Sequence, residues 1–150
     1  MPLPAPSPDF RAVVTGASNG IGEALAIDLA ARGHNLIITA RREALLDALA
    51  ARLTDRYGVT VEVRPGDLGD AAQRAKLAEE LATRKISILC ANAGVASLGP
   101  VAELDPAAER ALVQLNVVAV HDLVLAVLPG MIFTDAMSLL LTCMIVLPSV

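Results

Sequence analysis

The 150-residue chain has no tryptophan, one tyrosine and two phenylalanines. No basic block and no aromatic-interleaved stripe is present, which excludes the usual footprint of a nucleic-acid binder. There are two cysteines, Cys90 and Cys143, both in apolar runs. Without CxxC or His/Cys ligand spacing they read as buried reduced thiols, and no metal site is predicted. The two histidines, His34 and His121, have no partner at ligand or triad spacing and read as structural. Positive charge also runs out: no lysine follows Lys85 and no arginine follows Arg110. The N-terminus "MPLPAPSPDF" lacks a basic segment followed by an apolar one, so it does not read as a signal peptide, and the cytoplasm is the default location.

What is present is aliphatic. Apolar residues make up 55% of the chain, and the formal charge is −4. Ala, Val, Leu and Ile must carry the core, as in parallel strands covered by helices on both faces. The length suits one domain. Prolines at 2, 4, 6 and 8 mark residues 1–9 as an extended, mobile leader.

Strands and helices then alternate. "FRAVVT" (10–15) is a buried strand and "IGEALAIDLAARG" a helix stopped by Gly33. "NLIITA" (35–40) is a second strand, followed by the amphipathic helix 42–58. "VTVEV" (59–63) is a third strand, and Asp70 can cap the helix after it. "ISILCA" (86–91) is a fourth strand. Asp105-Pro106 opens a long apolar helix that runs to about Leu128, before Pro129-Gly130. The order βαβαβαβα predicts an α/β fold with a parallel sheet and right-handed crossovers.

The turn between the first strand and first helix reads "TGASNGIG", Thr15 to Gly22, and includes Ser18, Asn19 and Ile21. Gly16 suits a tight turn, Gly20 a close approach of backbone to a pyrophosphate, and Gly22 a helix packed close to the sheet. The helix N-terminus offers unpaired N–H groups and a positive dipole to phosphate. Where an acid would select NAD at the end of strand two, this chain has Ala40 and then Arg41-Arg42. A guanidinium there can grip the 2′-phosphate of NADP, so NADP(H) is favoured over NAD(H).

Over about residues 10–131 these motifs resemble the short-chain dehydrogenase/reductase family. Thr15, Gly16, Gly20 and Gly22 match its glycine motif TGxxxGxG. Asp67 and Leu68 in "GDL" match its adenine-side acid, and "ANAG" keeps Asn92, Ala93 and Gly94 of its NNAG motif. Asn116 in "QLNVVAV" matches the helix Asn of its Asn-Ser-Tyr-Lys tetrad, and "LPGM" (128–131) the run after that helix. The resemblance implies a Rossmann-type, doubly wound sheet in the order 3-2-1-4, and hydride transfer between a nicotinamide and a carbonyl or alcohol. It also implies a homo-oligomer, with part of the dimer surface absent from these residues.

The family's proton relay is missing. Tyr57 is followed four residues on by Val61, so there is no YxxxK. Ser138 and Thr142 lack the glycine turn that precedes the family's catalytic serine, and neither is assigned. The chain reads as truncated before its Ser, Tyr and Lys and as inactive alone, with Asn116 the one surviving tetrad member. Residues 132–150 read as an atypical apolar tail that leaves strand four as an edge. A non-catalytic nucleotide-binding module and a gene remnant are alternatives. Membrane association ranks below them, because the uncharged run 136–150 is shorter than the ~20 residues a span needs.

Overall fold

The computed structural model describes residues 3–132 and 139–142. Strands β1 (Arg11–Thr15), β2 (Leu36–Thr39), β3 (Val61–Val63), β4 (Ile86–Ala91) and β5 (Leu139–Thr142) form one sheet in the order 3-2-1-4-5. All four pairings are parallel. The expected order 3-2-1-4 is present, and part of the apolar tail extends it. Ile88 to Ala91 pair in register with Leu139 to Thr142, so β4 is interior and not an edge. The physical reason is local. An apolar run placed beside the open side of β4 satisfies a row of backbone groups that would otherwise stay unpaired.

Helices cover both faces. β1 alternates between them, with Ala12 and Val14 facing one layer and Val13 the other. The first layer holds Ala26 and Leu29 of α1 (Gly20–Ala31) and Leu46, Leu49 and Leu53 of α2 (Glu43–Tyr57). The second holds Leu77 and Leu81 of α3 (Ala71–Ala82) and Leu123, Val127 and Met131 of α5 (Ala119–Ile132). β1, β2 and β4 are buried almost throughout, which is why they read as continuous apolar runs.

Helix ends follow the sequence signals. The Asp70 side chain accepts from the Gln73 N–H at 2.9 Å and caps α3. Asp105 accepts from the N–H groups of Ala107 and Ala108 and caps α4 (Pro106–Val113). Gly33 (φ +88) ends α1, its N–H donating to Ala30 O and that of His34 to Leu29 O. Both bonds need the left-handed backbone that glycine adopts at least cost.

Three features depart from the sequence expectation. Residues 3–10 do not hang free: Pro4 is buried, Leu3 packs on the first layer, and Pro8 O accepts from Arg11 and Asn35. The last helix does not stop at Leu128. It carries Pro129 internally and continues to Ile132, with Met131 buried in the second layer. Between α4 and α5 the chain makes a π-helical turn, Gln114–Val118, an extra-residue bulge centred on Asn116. The continuous helix Pro106–Met131 is long and apolar enough to cross a membrane by length and composition. Its buried residues 119, 123, 127 and 131 recur every four residues and pack one face on the second core layer, while Val113, Val117, Leu125 and Leu128 stay exposed.

Candidate functional site

A cleft of about 320 Å³ lies over the C-terminal ends of β1 to β4. Each wall comes from a different crossover. The β1–α1 turn contributes Gly16, Ser18, Asn19, Gly20 and Ile21; the end of β2 gives Arg41 and Arg42. The segment after β3 gives Asp67 and Leu68, and that after β4 gives Asn92, Ala93 and Gly94. Twelve sequence-predicted residues therefore meet at one place, although they span positions 16 to 94.

The other three predicted residues stand behind the walls. Thr15 is buried at the end of β1 and ties it to β4. Its Oγ1 accepts from the N–H groups of Asn92 and Ala93, both at 2.9 Å, and the Asn92 Nδ2 donates to Thr15 O at 3.0 Å. Gly22 is buried in the first turn of α1, where an added Cβ would lie 2.3 Å from Gly16 O. Asn116 is engaged by a loop. Its Oδ1 accepts from Val95 N at 3.0 Å, and its Nδ2 donates to Val95 O at 2.7 Å. The Asn116 amide thus fixes the strand-to-helix segment that closes one end of the cleft.

The three glycines of the turn have different physical reasons. Gly16 has φ +70, and a Cβ there would lie 2.9 Å from Ala93 Cα and from Asn92 Nδ2. Gly22 is a close-approach glycine. At Gly20 (φ +60) nothing lies within 4 Å of an added Cβ. Gly20 lines the cleft, so the volume a side chain would take is open space above a helix N-terminus. That is the cradle a pyrophosphate needs. The Asn19 Oδ1 accepts from Gly20 N at 2.8 Å and caps the helix.

The acid and the two arginines are held differently. Asp67 Oδ1 accepts from Gly69 N at 2.9 Å, while Asp67 N donates to Gln73 Oε1. Arg42 is exposed and donates to Ser18 Oγ at 3.1 Å, which bridges two walls of the cleft. Arg41 is exposed and makes no hydrogen bond or ion pair among the described residues. No group of metal-ligating side chains occurs among the described residues either.

Sequence reasoning missed several residues. Thr39, Ala40, Gly66, Val95, Ala96 and Leu115 also line the cleft. Most are neighbours of motif residues, the one signal available for them. The Thr39 Oγ1 is buried without a hydrogen-bond partner among the described residues, beneath the cleft floor. Arg74 was missed as well. It is buried in α3 and donates to Asp122 at 2.7 Å, Leu68 O at 2.9 Å and Gln114 at 3.3 Å. The Arg74 hydrogen bond outweighs partial burial and holds the Asp122 carboxyl below the usual carboxylate range. Tyr57 is remote from the cleft, at the end of α2 with the Arg56 guanidinium over its ring. Thr142 ends β5 in register with Ala91, although no glycine turn precedes it. Ser138 and Cys143 lie outside the described residues.

Fold and cleft together define a Rossmann-type α/β protein with its cleft at the C-terminal ends of the strands. Comparison with known proteins narrows the class. The family model "short chain dehydrogenase" matches residues 11–140. A short-chain dehydrogenase from Sphingobium yanoikuyae, solved in complex with NADPH, superposes with a TM-score of 0.84 and 37% identity. That match covers 88% of this chain and 52% of the other. The uncharacterized oxidoreductase YmfI of Bacillus subtilis is 34% identical, over 81% of this chain and 50% of its own length. A very-long-chain 3-oxoacyl-CoA reductase of Anas platyrhynchos is 33% identical, over 81% of this chain and 40% of its own. The chain belongs to the short chain dehydrogenase family. It spans about half the length of the relatives it matches. The family match runs to residue 140, past the boundary at 131 expected from the motifs.

Proposed function

We propose that this chain is the NADP(H)-binding portion of a short-chain oxidoreductase, and that alone it binds cofactor without turning over a carbonyl. One observation carries the cofactor choice: Arg41 and Arg42 both line the cleft at the end of β2, where a 2′-OH-binding acid would favour NAD. The Ser18 bond orients Arg42, while Arg41 keeps its donors for a phosphate. The turn at Gly16–Gly22 would hold the pyrophosphate, and Asp67 and Leu68 would flank the adenine. When bound, the nicotinamide supplies or accepts the hydride. Among the described residues, those that line the cleft include no Tyr, Lys or His to move the accompanying proton. That supports binding without turnover.

The test is a fluorescence titration of the purified chain with NADPH and NADH, followed by assay against a panel of carbonyls. NADPH should bind more tightly than NADH, and Arg41→Ala with Arg42→Ala should remove that preference. A folded chain with no affinity for NADPH would sink the reading. Cofactor-dependent turnover would sink the claim of inactivity.

A further inference from the structure

Arg74 is 5% exposed and belongs to no sequence motif of the cleft. A guanidinium so buried is costly unless its donors are met. Here they are met by three separate segments. Nε donates to the Asp122 carboxylate of α5 at 2.7 Å. Nη1 donates to Leu68 O at 2.9 Å and, longer, to Gly69 O at 3.4 Å. Nη2 donates to Gln114 Oε1 at 3.3 Å.

Two of these segments are walls of the cleft. Leu68 lines its adenine end, next to Asp67. Gln114 opens the π-helical turn that carries Leu115, a lining residue, and Asn116, which holds Val95. The guanidinium is rigid and planar, so it sets the separation of the groups it bridges. No residue of the π-helical turn is fully buried; Leu115 alone packs, partly buried, against the second core layer.

We infer that Arg74 is a positioning residue for the nucleotide cleft, whose guanidinium fixes the Leu68 wall and the Asn116 turn relative to one another. The inference rests on the reading of the cleft given above. Arg74 does not line the cleft, and acts through Leu68, Gln114 and Asp122. An ordinary structural ion pair would add stability without controlling Asn116, so the test must separate the two roles.

The test is a ¹⁵N–¹H spectrum of the labelled chain. The Asn116 side-chain amide pair is assigned as the signal that Asn116→Asp removes. Gln114 is exposed, so Gln114→Ala severs the link to the turn without threatening the core. Both Gln114→Ala and Arg74→Lys should displace the Asn116 amide pair and the Val95 backbone amide. Leu53→Ala, in the opposite core layer, should lower the melting temperature while leaving those signals in place. Unmoved signals in the Gln114 and Arg74 variants, or equal movement in Leu53→Ala, would overturn the inference. Should Arg74→Lys not fold, Gln114→Ala decides.

A second arm titrates adenosine 2′,5′-bisphosphate. Arg74→Lys should weaken it about tenfold, the loss of roughly one charge-assisted hydrogen bond's worth of alignment. Equal affinity in wild type and Arg74→Lys counts against the inference. No binding even to the wild type would sink the nucleotide reading and leave the spectrum to judge Arg74.

Discussion

Thr15 and Asn92 lock the ends of two neighbouring strands together. The Asn92 backbone N–H donates to Thr15 Oγ1 at 2.9 Å, and its side-chain amide donates to Thr15 O at 3.0 Å. Ala93 N–H shares the same hydroxyl. One small side chain thus satisfies two backbone donors just where β4 ends and the cleft begins. Thr15→Val keeps the shape and strands both donors, each at a cost of about 1–3 kcal/mol. We expect a loss of about 2–4 kcal/mol in urea unfolding. Thr15→Ser, which keeps the hydroxyl, should lose about 1 kcal/mol for its missing methyl. Equal losses would show that the hydroxyl is not the cause.

Gly22 inverts a familiar rule. Replacing a helical glycine by alanine usually stabilises by about 0.5–1 kcal/mol. At Gly22 the new Cβ would sit 2.3 Å from Gly16 O and 2.6 Å from Asn92 Nδ2. Helix α1 must then back away from the sheet, so Gly22→Ala should destabilise by about 1–3 kcal/mol and abolish NADPH binding. Gly58→Ala is the control. It is strained by its φ of +68 but meets nothing within 4 Å, so it should leave binding unchanged.

Asn116 holds Val95 as one strand holds another, by accepting from its N–H and donating to its carbonyl. Asn116→Ala should speed hydrogen exchange at the Val95 amide by about tenfold, as one lost hydrogen bond of ~1 kcal/mol or more implies. Exchange at the β1 amides should stay as slow as in the wild type. Unchanged exchange at Val95 would show that its protection comes from elsewhere.

Glu62 sits among Arg11, Arg64 and Arg84. Burial alone would raise its carboxyl, but hydrogen bonds from Arg11 and Arg84 and the charges of Arg84 and Arg64 hold it below the usual range. A carboxyl depressed in the folded state contributes stability above its unfolded value of about 4.3 and loses it as the pH falls through the folded value. Acid unfolding should therefore steepen below about pH 4.3. Glu62→Gln should flatten that limb and cost about 1–3 kcal/mol at pH 7. A limb of unchanged slope in Glu62→Gln would assign it to other carboxylates.

His34 shapes the same acid limb at a higher pH. It is buried at the end of α1, and desolvation, with the charge of Arg32, lowers its pKa. The unfolded state then binds the proton first. Stability should decline as the pH falls below about 6.5 and level off once the folded imidazole is also charged. His34→Gln should remove the slope that begins below about pH 6.5 in thermal melts. Persistence of that slope would place its origin in another group.

Much of the cleft was legible along the chain because it is made of turns. Gly16, Gly20 and Gly22 are forced by local backbone, by an open phosphate cradle and by close packing, and each need leaves glycine as its trace. Arg41, Arg42, Asp67 and Asn92 follow strands that announce themselves as apolar runs, so their placement at one sheet edge follows from parallel topology. Arg74 left no such trace. Its partners lie 48, 6 and 40 residues away, and a lone arginine in a polar helix pattern reads as a solvated one. The π-helical turn was equally hidden, since its Asn116 pairs with a loop 21 residues earlier and leaves no local periodicity to read.

The sequence by itself determined the alternation of strands and helices, the parallel sheet and the phosphate-turn chemistry, because each is written in period, caps and glycine spacing within a few residues. Only the tertiary structure decided what Leu139–Thr142 does. Taken alone, Leu139–Thr142 is four apolar or β-branched residues with no turn signal, and strand, helix or anchor fit it equally. Beside β4 it becomes a fifth parallel strand, because the unpaired edge of a sheet offers backbone hydrogen bonds that no isolated segment can supply.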